Sequence, residues 1–300
     1  MKTLIILNDI SPKKKKFYSE ILPILQSKFE ITVSETSYAG HASQLASEAL
    51  GKKFDCIIAA GADGTLHQVI NGILSANTSQ TMPSVGLIPL GSGNDFATTC
   101  GLSSNANSIS KLLESNQPKP TDVGKISCYD EKGNGITKYF INACSIGMGP
   151  TTVLRMEKSP KWLNADLRYL TSILHTFFTH RPQGLTIKTT SWEWSGKARV
   201  FAVANGKSFG NKIFIAPDAL QDDGFFNLFL AGEVPLIKFL WFLQSLKQKK
   251  KVDDPLITYS KTKEVLVSSQ EKILVEAEGE SIGCLPAKIE IIPSRVLFFR

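Results

Sequence analysis

The sequence predicts two folds in series. Residues 1–123 read as a doubly wound parallel α/β domain, 124–290 as an antiparallel β-sandwich, and 291–300 as a segment returning to the first domain. Three observations predict this. Apolar runs of strand length alternate with helical periodicity up to Leu113. Two of those runs end in glycine-rich loops that carry an aspartate. Beyond Gly124 strand-like runs dominate, and period-2 patterning replaces period 3.6.

Thr3 to Leu7 is a first buried strand, and Asn8-Asp9-Ile10-Ser11-Pro12 is the loop after it. A helix follows through Phe17, Ile21 and Leu25, with a kink or early break at Pro23. Ile31 to Ser34 is a second strand, and Ser43 to Leu50 a helix with one apolar face. Phe54 to Ala59 is nearly continuous in apolar residues, as in a strand buried on both faces. Gly61 and Gly64 then bracket Asp63, and Leu66, Val69, Ile70, Ile73 and Leu74 fall on one helical face. Thr65 and Gln68 have the spacing of a capping box at its start. A second strand-like run, Val85 to Leu90, leads into Gly91-Ser92-Gly93-Asn94-Asp95. Ile109, Leu112 and Leu113 mark a short helix, and Gln117 to Pro120 a boundary.

In the second half, strands are expected over 138–143, 185–189, 200–204, 225–231, 264–267, 273–277 and 289–292, with Ser195-Gly196 turning the chain after Trp192-Glu193-Trp194. Helical patterns interrupt them from Trp162 to Phe178 and from Pro235 to Lys247.

A loop between a strand C-terminus and a helix N-terminus is where open α/β sheets bind ligands, and free backbone N–H groups there favour an anion. Neither glycine loop is a Walker A, because no Lys-Ser/Thr closes it, and Phe96 stands where a dinucleotide fingerprint needs its last glycine. An aspartate beside a phosphate cradle is repulsive unless a metal cation or a substrate proton meets it.

The 42% apolar and 20% charged shares are ordinary for a globular chain, and the net charge of +7 is moderate. The five cysteines form no CxxC pair and read as core residues of a reducing compartment. Leu4 to Leu7 is too short for a signal peptide and no stretch reaches a membrane span, so a cytoplasmic location is expected. Lys13 to Lys16 and the run from Lys247 to Lys251 are basic. The second follows Leu236, Phe239, Leu240, Trp241 and Leu243 and could rest on an anionic bilayer. Nucleic acid is not expected, because no aromatic–basic module is present. Gly206-Lys207-Ser208-Phe209-Gly210 fits a nucleophile elbow, but all four histidines precede Ser208 and no helix pattern follows.

GADGTLHQVINGIL resembles the GGDGTxxEVxNG motif of the diacylglycerol-kinase catalytic domain, and PLGSGNDFA resembles the PLGTxNDFA motif after it. The likeness runs on through Thr121-Asp122-Val123-Gly124, Phe140-Ile141-Asn142 to Gly147, Ala216 to Gly224, and Glu276 to Glu280. The chain looks most like the soluble bacterial lipid kinases, which are similar to sphingosine and ceramide kinases and more distantly to NAD kinases.

That resemblance implies an ATP- and Mg²⁺-dependent kinase acting on a lipid hydroxyl, with diacylglycerol the leading acceptor. It implies a nucleotide lined by Asn8, Thr36, Gly61, Ala62, Asp63, Gly64, Thr65, Leu66, His67 and Ser92. Asp63 would hold the catalytic Mg²⁺ or orient the γ-phosphate, and Glu280 would be the general base. Asp95 and Asp122 would support them through hydrogen bonds. A structural Mg²⁺ would sit on Asp223 and the carbonyls of Leu220 and Phe225. A non-catalytic nucleotide- or lipid-binding protein, or an NAD-kinase-like enzyme, are the alternatives. Oligomeric state is not legible.

The chain departs from the pattern at four places. Asp9-Ile10-Ser11-Pro12 stands for Pro-x-Ser-Gly, Ala62 for the second glycine of GGDGT, Glu278 for the Asp of DGE, and Ser208 to Asn211 for a glycine-rich run. If position 62 requires φ > 0, alanine there would cost activity.

Overall fold

The computed structural model describes residues 1–76, 82–91, 93–160 and 165–300. The chain divides into two compact units, Met1–Asp122 with Ser294–Arg300, and Val123–Pro293.

In the first unit β1 (Lys2–Leu7) lies between β2 (Glu30–Glu35) and β3 (Cys56–Gly61), with β4 (Ser84–Pro89) beyond β3, all parallel. The final strand of the chain, running Glu280–Phe298, ends beside β4 with Phe298 opposite Val85. The chain steps from β1 to one neighbour and then crosses to the other. That reversal opens the crevice of a doubly wound sheet at the carboxyl ends of β1 and β3. Every residue of β3 is buried, which explains its unbroken apolar run.

The helical stretch after β1 differs from the expectation. It is α1 (Lys14–Lys16), one π turn (Phe17–Ile21) and α2 (Leu22–Gln26). Pro23 sits in the first turn of α2, where its missing N–H costs little, and the irregularity falls one turn earlier. Helix α3 (His41–Ala49) packs closely on α4 (Asp63–Ser75). Gly72 permits this approach, since a Cβ there would lie 2.1 Å from the Ser43 carbonyl oxygen. The expected capping box does not form. Helix α4 begins at Asp63, its N-cap is Ala62, and no side chain caps it. Helices α5 (Asp95–Cys100) and α6 (Ala106–Glu114) complete the unit, α6 being capped by Asn105 Oδ1, which accepts the Ser108 N–H at 3.0 Å.

Strand β5 (Lys119–Tyr129) starts in the first unit and runs into the second, where its residues from Gly124 pair with β6 (Gly135–Phe140). The expected strand 138–143 is broken at Ile141-Asn142, and β7 (Ala143–Gly147) follows the break. Helix α7 (Met148–Lys158), which the sequence did not announce, carries Gly149, Pro150, Thr151 and Thr152 in its first turn. Helix α8 is described over Ala165–Thr179, and Trp162, the expected start of that pattern, lies outside the described residues.

Next come β8 (Gln183–Thr189), β9 (Glu193–Ala198), β10 (Val200–Ala204), β11 (Phe226–Ala231), α9 (Leu236–Lys247), β12 (Ile257–Thr262), β13 (Glu264–Ser268), β14 (Leu274–Ala277) and β15 (Glu280–Phe298). The antiparallel order β12-β11-β10-β7-β14-β15 forms one layer, and β13, β8 and β9 extend from β15. An apolar core including Phe140, Ile146, Phe201, Phe226, Val265 and Ile289 fills one side, and a second core links the sheet to α8 and α9. The β8–β9 turn is not at Ser195-Gly196. It closes earlier, where the Thr189 hydroxyl donates to the Trp192 carbonyl and accepts the Trp192 N–H, both at 2.9 Å. Gly196 lies within β9, under the Trp194 ring.

Candidate active site

Three loops meet at the carboxyl ends of β1, β3 and β4. The Asn8 N–H donates to the Ala60 carbonyl at 2.9 Å, and its Nδ2 donates to Thr65 Oγ1 at 3.3 Å. The Thr36 N–H donates to Leu7, and Thr36 Oγ1 accepts the Asp9 N–H at 3.2 Å. Gly61 needs its missing Cβ, because one would lie 2.2 Å from Thr65 Oγ1. The Gly61 carbonyl accepts the N–H groups of Leu90 and Gly91, and the buried Ser11 hydroxyl donates to Leu90. Asn8, Thr36, Gly61, Ala62, Asp63 and Thr65 are therefore brought together.

Ala62 is extended, with φ −102° and ψ −174°, so this position makes no demand that alanine cannot meet. Its methyl fills the space beside Gly91, where a second Cβ would fall 2.3 Å away. In the altered first loop, Asp9 and Glu35 both pair with Lys14, which accounts for one lysine of the basic run.

Asp63 joins the loops. Its Oδ2 accepts the Asp95 N–H at 2.7 Å and its Oδ1 the Phe96 N–H at 3.2 Å, while its own N–H donates to Gly93. The carboxylate thus serves the first turn of α5 from outside that helix. The residue is half-buried but its carboxyl is the sheltered part. Burial pushes its pKa up to about 7, the neighbouring Asp95 charge adds to this, and the two amide bonds oppose it. Asp95 itself is buried. A divalent cation beside these two neighbouring acids would lower the energy of both.

Other expected residues stand apart from this cluster. Leu66 and His67 are in the buried face of α4, and Asn71 Nδ2 approaches the His67 ring within 3.4 Å, so their side chains turn into the interior. Gly64 is half-buried in the first turn of α4. Ser92 lies outside the described residues. Asp122 is fully buried, and its Oδ1 accepts the Ser294 N–H at 2.7 Å, which anchors the returning segment.

Glu280, the candidate base, is the first residue of β15 and pairs with Ala277 across a two-residue turn. Glu278 and Gly279 take φ of 55° and 82° in that turn, the left-handed pair of a tight hairpin. Glu278 replaces the usual aspartate without losing a partner. Its Oε1 accepts the N–H groups of Ile141 and Asn142 at 2.8 and 2.6 Å, which breaks the strand between β6 and β7. The Asn142 carbonyl accepts the N–H groups of Asn205 and Gly206, and Asn142 Nδ2 donates to the Ser208 carbonyl at 3.0 Å. Sequence reasoning missed Asn205, wholly buried and bonded through Nδ2 to the Ile141 carbonyl at 2.7 Å, and Glu276 beneath the hairpin. The alternation in Val275-Glu276-Ala277-Glu278 was the available signal for Glu276.

Asp223 does not present an open carboxylate. Its Oδ1 accepts the Phe225 N–H at 3.0 Å and its Oδ2 the Lys261 ammonium at 3.0 Å, while the side chains of Leu220 and Phe225 are exposed. The residues as arranged do not fit a resident Mg²⁺, because the exposed Lys261 ammonium already pairs with the only acid of the expected ligand set. Among the described residues, no group of three or more His, Cys, Asp or Glu could hold a metal ion. Added Mg²⁺ is therefore expected to stabilise Lys261→Ala more than it stabilises the wild type, by about 2.7 kcal/mol at a hundredfold excess over the Kd of the freed site. An equal response to Mg²⁺ in the two proteins would refute this.

The nucleophile-elbow reading fails. Ser208 is buried, no helix follows it, and Phe209 and Ile213 pair as a short bridge. Gly210, at φ 62°, abuts the Tyr169 hydroxyl.

With the geometry in place, the comparisons give the class. Residues 2–126 match the profile of the diacylglycerol kinase catalytic domain, and 144–300 that of the YegS C-terminal NAD kinase beta sandwich-like domain. The second alone spans more than half of the chain, so the chain belongs to the diacylglycerol-kinase catalytic-domain family with a YegS-type C-terminal domain, a family of lipid kinases. It is 28% identical to a "Diacylglycerol kinase" of Bacillus subtilis strain 168, over 95% of this chain and 91% of that one. It is 26% identical to a "Probable lipid kinase YegS-like" of Yersinia enterocolitica, over 98% and 95%. Its fold is shared with a solved diacylglycerol kinase of Bacillus anthracis str. Sterne (TM-score 0.73, 22% identity, 99% and 96% coverage). It is shared more loosely with yeast NADH kinase (TM-score 0.51, 11% identity, 99% and 82% coverage).

Proposed function

We propose that this lipid kinase transfers the γ-phosphoryl group of MgATP to the free hydroxyl of diacylglycerol, giving phosphatidic acid. The observation that carries the reading is the Asp63 carboxyl, which accepts the Asp95 and Phe96 N–H groups of the second glycine loop and whose pKa is pushed up chiefly by burial. Mg²⁺, delivered with the nucleotide, supplies charge neutralisation between the phosphates. Asp63 and Asp95 are the acids that would hold it, and the loops around Asn8, Thr36 and Gly61 would orient the phosphates. Glu280 takes the hydroxyl proton as the lipid oxygen forms its bond to phosphorus and the bond to the ADP oxygen breaks. The test is transfer from labelled ATP into micelle-dispersed diacylglycerol, monoacylglycerol, phosphatidylglycerol, ceramide and polyprenol, with NAD in parallel. Label in diacylglycerol supports the reading. Label confined to another lipid overturns the substrate, and label only in NAD overturns the class of acceptor.

The same reading includes a peripheral contact with an anionic bilayer. Support comes from α9, where Phe242, Leu243 and Leu246 turn inward while Ile237 (84% exposed), Leu240 and Trp241 (56%) face solvent. Lys247, Lys249, Lys250 and Lys251 stand exposed at its C-terminal end. An apolar helical face bordered by lysines suits an anionic interface. No helix among the described residues is long and apolar enough to cross a membrane. Leu240→Ser/Trp241→Ser is expected to weaken binding to phosphatidylglycerol-containing vesicles by about tenfold or more, from lost apolar burial. Turnover of a short-chain, water-dispersed diacylglycerol should be unchanged. Equal vesicle binding by the variant would remove α9 from the contact.

A further inference from the structure

Glu276 is buried, with 2% of its surface exposed, and it lies on β14 in register with Ser145 of β7. The Ser145 hydroxyl is hydrogen-bonded to its Oε2, and its Oε1 accepts the Gly279 N–H at 2.7 Å. The first turn of α7 closes over this pair. A Cβ at Gly149 would lie 2.0 Å from Ser145 Oγ and 3.6 Å from Glu276 Oε2, so only glycine lets the helix approach. Gly279 is the second turn residue of the hairpin and the immediate neighbour of Glu280.

We propose that Glu276 is a positioning residue, which pins the Gly279 amide from below while Ser145 fixes its carboxyl, and so sets the direction in which Glu280 leaves the turn. This rests on the assignment of Glu280 as the base. The hairpin is held from two sides. Glu278 ties its first turn residue to Ile141 and Asn142, and Glu276 ties its second to β7 and α7. The β14–β15 register shifts between Val275 and Glu276, so only the pairs Glu276–Ser281 and Ala277–Glu280 close the ladder next to the turn. A buried carboxyl with two hydrogen-bonded partners adds a constraint to this short closing ladder. A displacement near 1 Å at a proton acceptor is enough to lower turnover on the order of 100-fold.

The experiment compares Glu276→Ala, Glu276→Gln and Ser145→Ala in the full chain. Glutamine keeps an acceptor for Gly279 and a donor for Ser145, so it preserves the lock without the charge. Glu276→Ala is expected to lose kcat on the order of 100-fold with KM for ATP unchanged, and Glu276→Gln to stay within about threefold of wild type. Ser145→Ala should fall between them. Hydrogen exchange at the Gly279 amide gives a readout independent of activity: protection should be lost in Glu276→Ala and kept in Glu276→Gln. Equal kcat for all three, or unchanged Gly279 protection in Glu276→Ala, would overturn the proposal. Measuring Glu280→Gln in parallel separates the two ideas. If Glu280→Gln is fully active while Gly279 protection follows Glu276 as expected, the base assignment fails and the lock stands.

Discussion

Asp63→Asn is expected to lower kcat by about 10³-fold or more while leaving the protein folded. Removing one pre-organised electrostatic group from a charge-developing centre costs about 10²–10³-fold, and Asp63 has a second task. Its two oxygens accept the Asp95 and Phe96 N–H groups, so an asparagine would turn an amide NH₂ toward a backbone donor. The β4 loop would then lose its register with α4. Burial makes the same variant a pH probe. Because its folded pKa, about 7, lies above the ordinary aspartate value of 3.8, Asp63 contributes stability fully below that lower value. The contribution is lost as pH rises through 7. The stability of Asp63→Asn relative to wild type should therefore increase between pH 5 and pH 9, almost all of it below pH 7, by about 2.7 kcal/mol. Thermal melts across that range check it, and a flat difference would mean the carboxyl is solvated. Glu276, pushed up to about 7 chiefly by burial, gives the same sign in Glu276→Gln.

Glu280→Gln carries the second large effect. A general base contributes typically about 10²–10⁴-fold, and glutamine cannot take the proton. The loss should fall in kcat, with ATP binding intact, since the bonds by which Glu276 and Glu278 hold the hairpin are left in place by the variant. Titration calorimetry with a non-hydrolysable ATP analogue separates binding from turnover. Full turnover by the variant would remove Glu280 from the chemistry.

Much of this was legible in the sequence because local and tertiary signals agree. The apolar β3 run is buried throughout, and the Leu66 to Leu74 face of α4 packs inward as its period requires. The two glycine loops announced a site because their aspartates had no reason to sit in a plain turn. Other features were hidden because they depend on partners distant in sequence. Helix α7 has Gly149, Pro150 and two threonines in its opening turns, weak helix formers that depend on packing against β7, β14 and α8. The break at Ile141-Asn142 needs a carboxylate from residue 278. Lys261 neutralises Asp223 across 38 positions, which no reading of the Asp-Gly loop alone could show. The β8–β9 turn was misplaced because Gly196 reads as a turn residue, whereas its real use is to admit the Trp194 ring.

The most direct measurement is incorporation of label from γ-labelled ATP into diacylglycerol, with Mg²⁺, by wild type, Asp63→Asn and Glu280→Gln side by side. The expected result is labelled phosphatidic acid from the wild type alone, with both variants folded. Labelled phosphatidic acid at equal rates from all three, or none from a folded, ATP-binding wild type, would contradict the account.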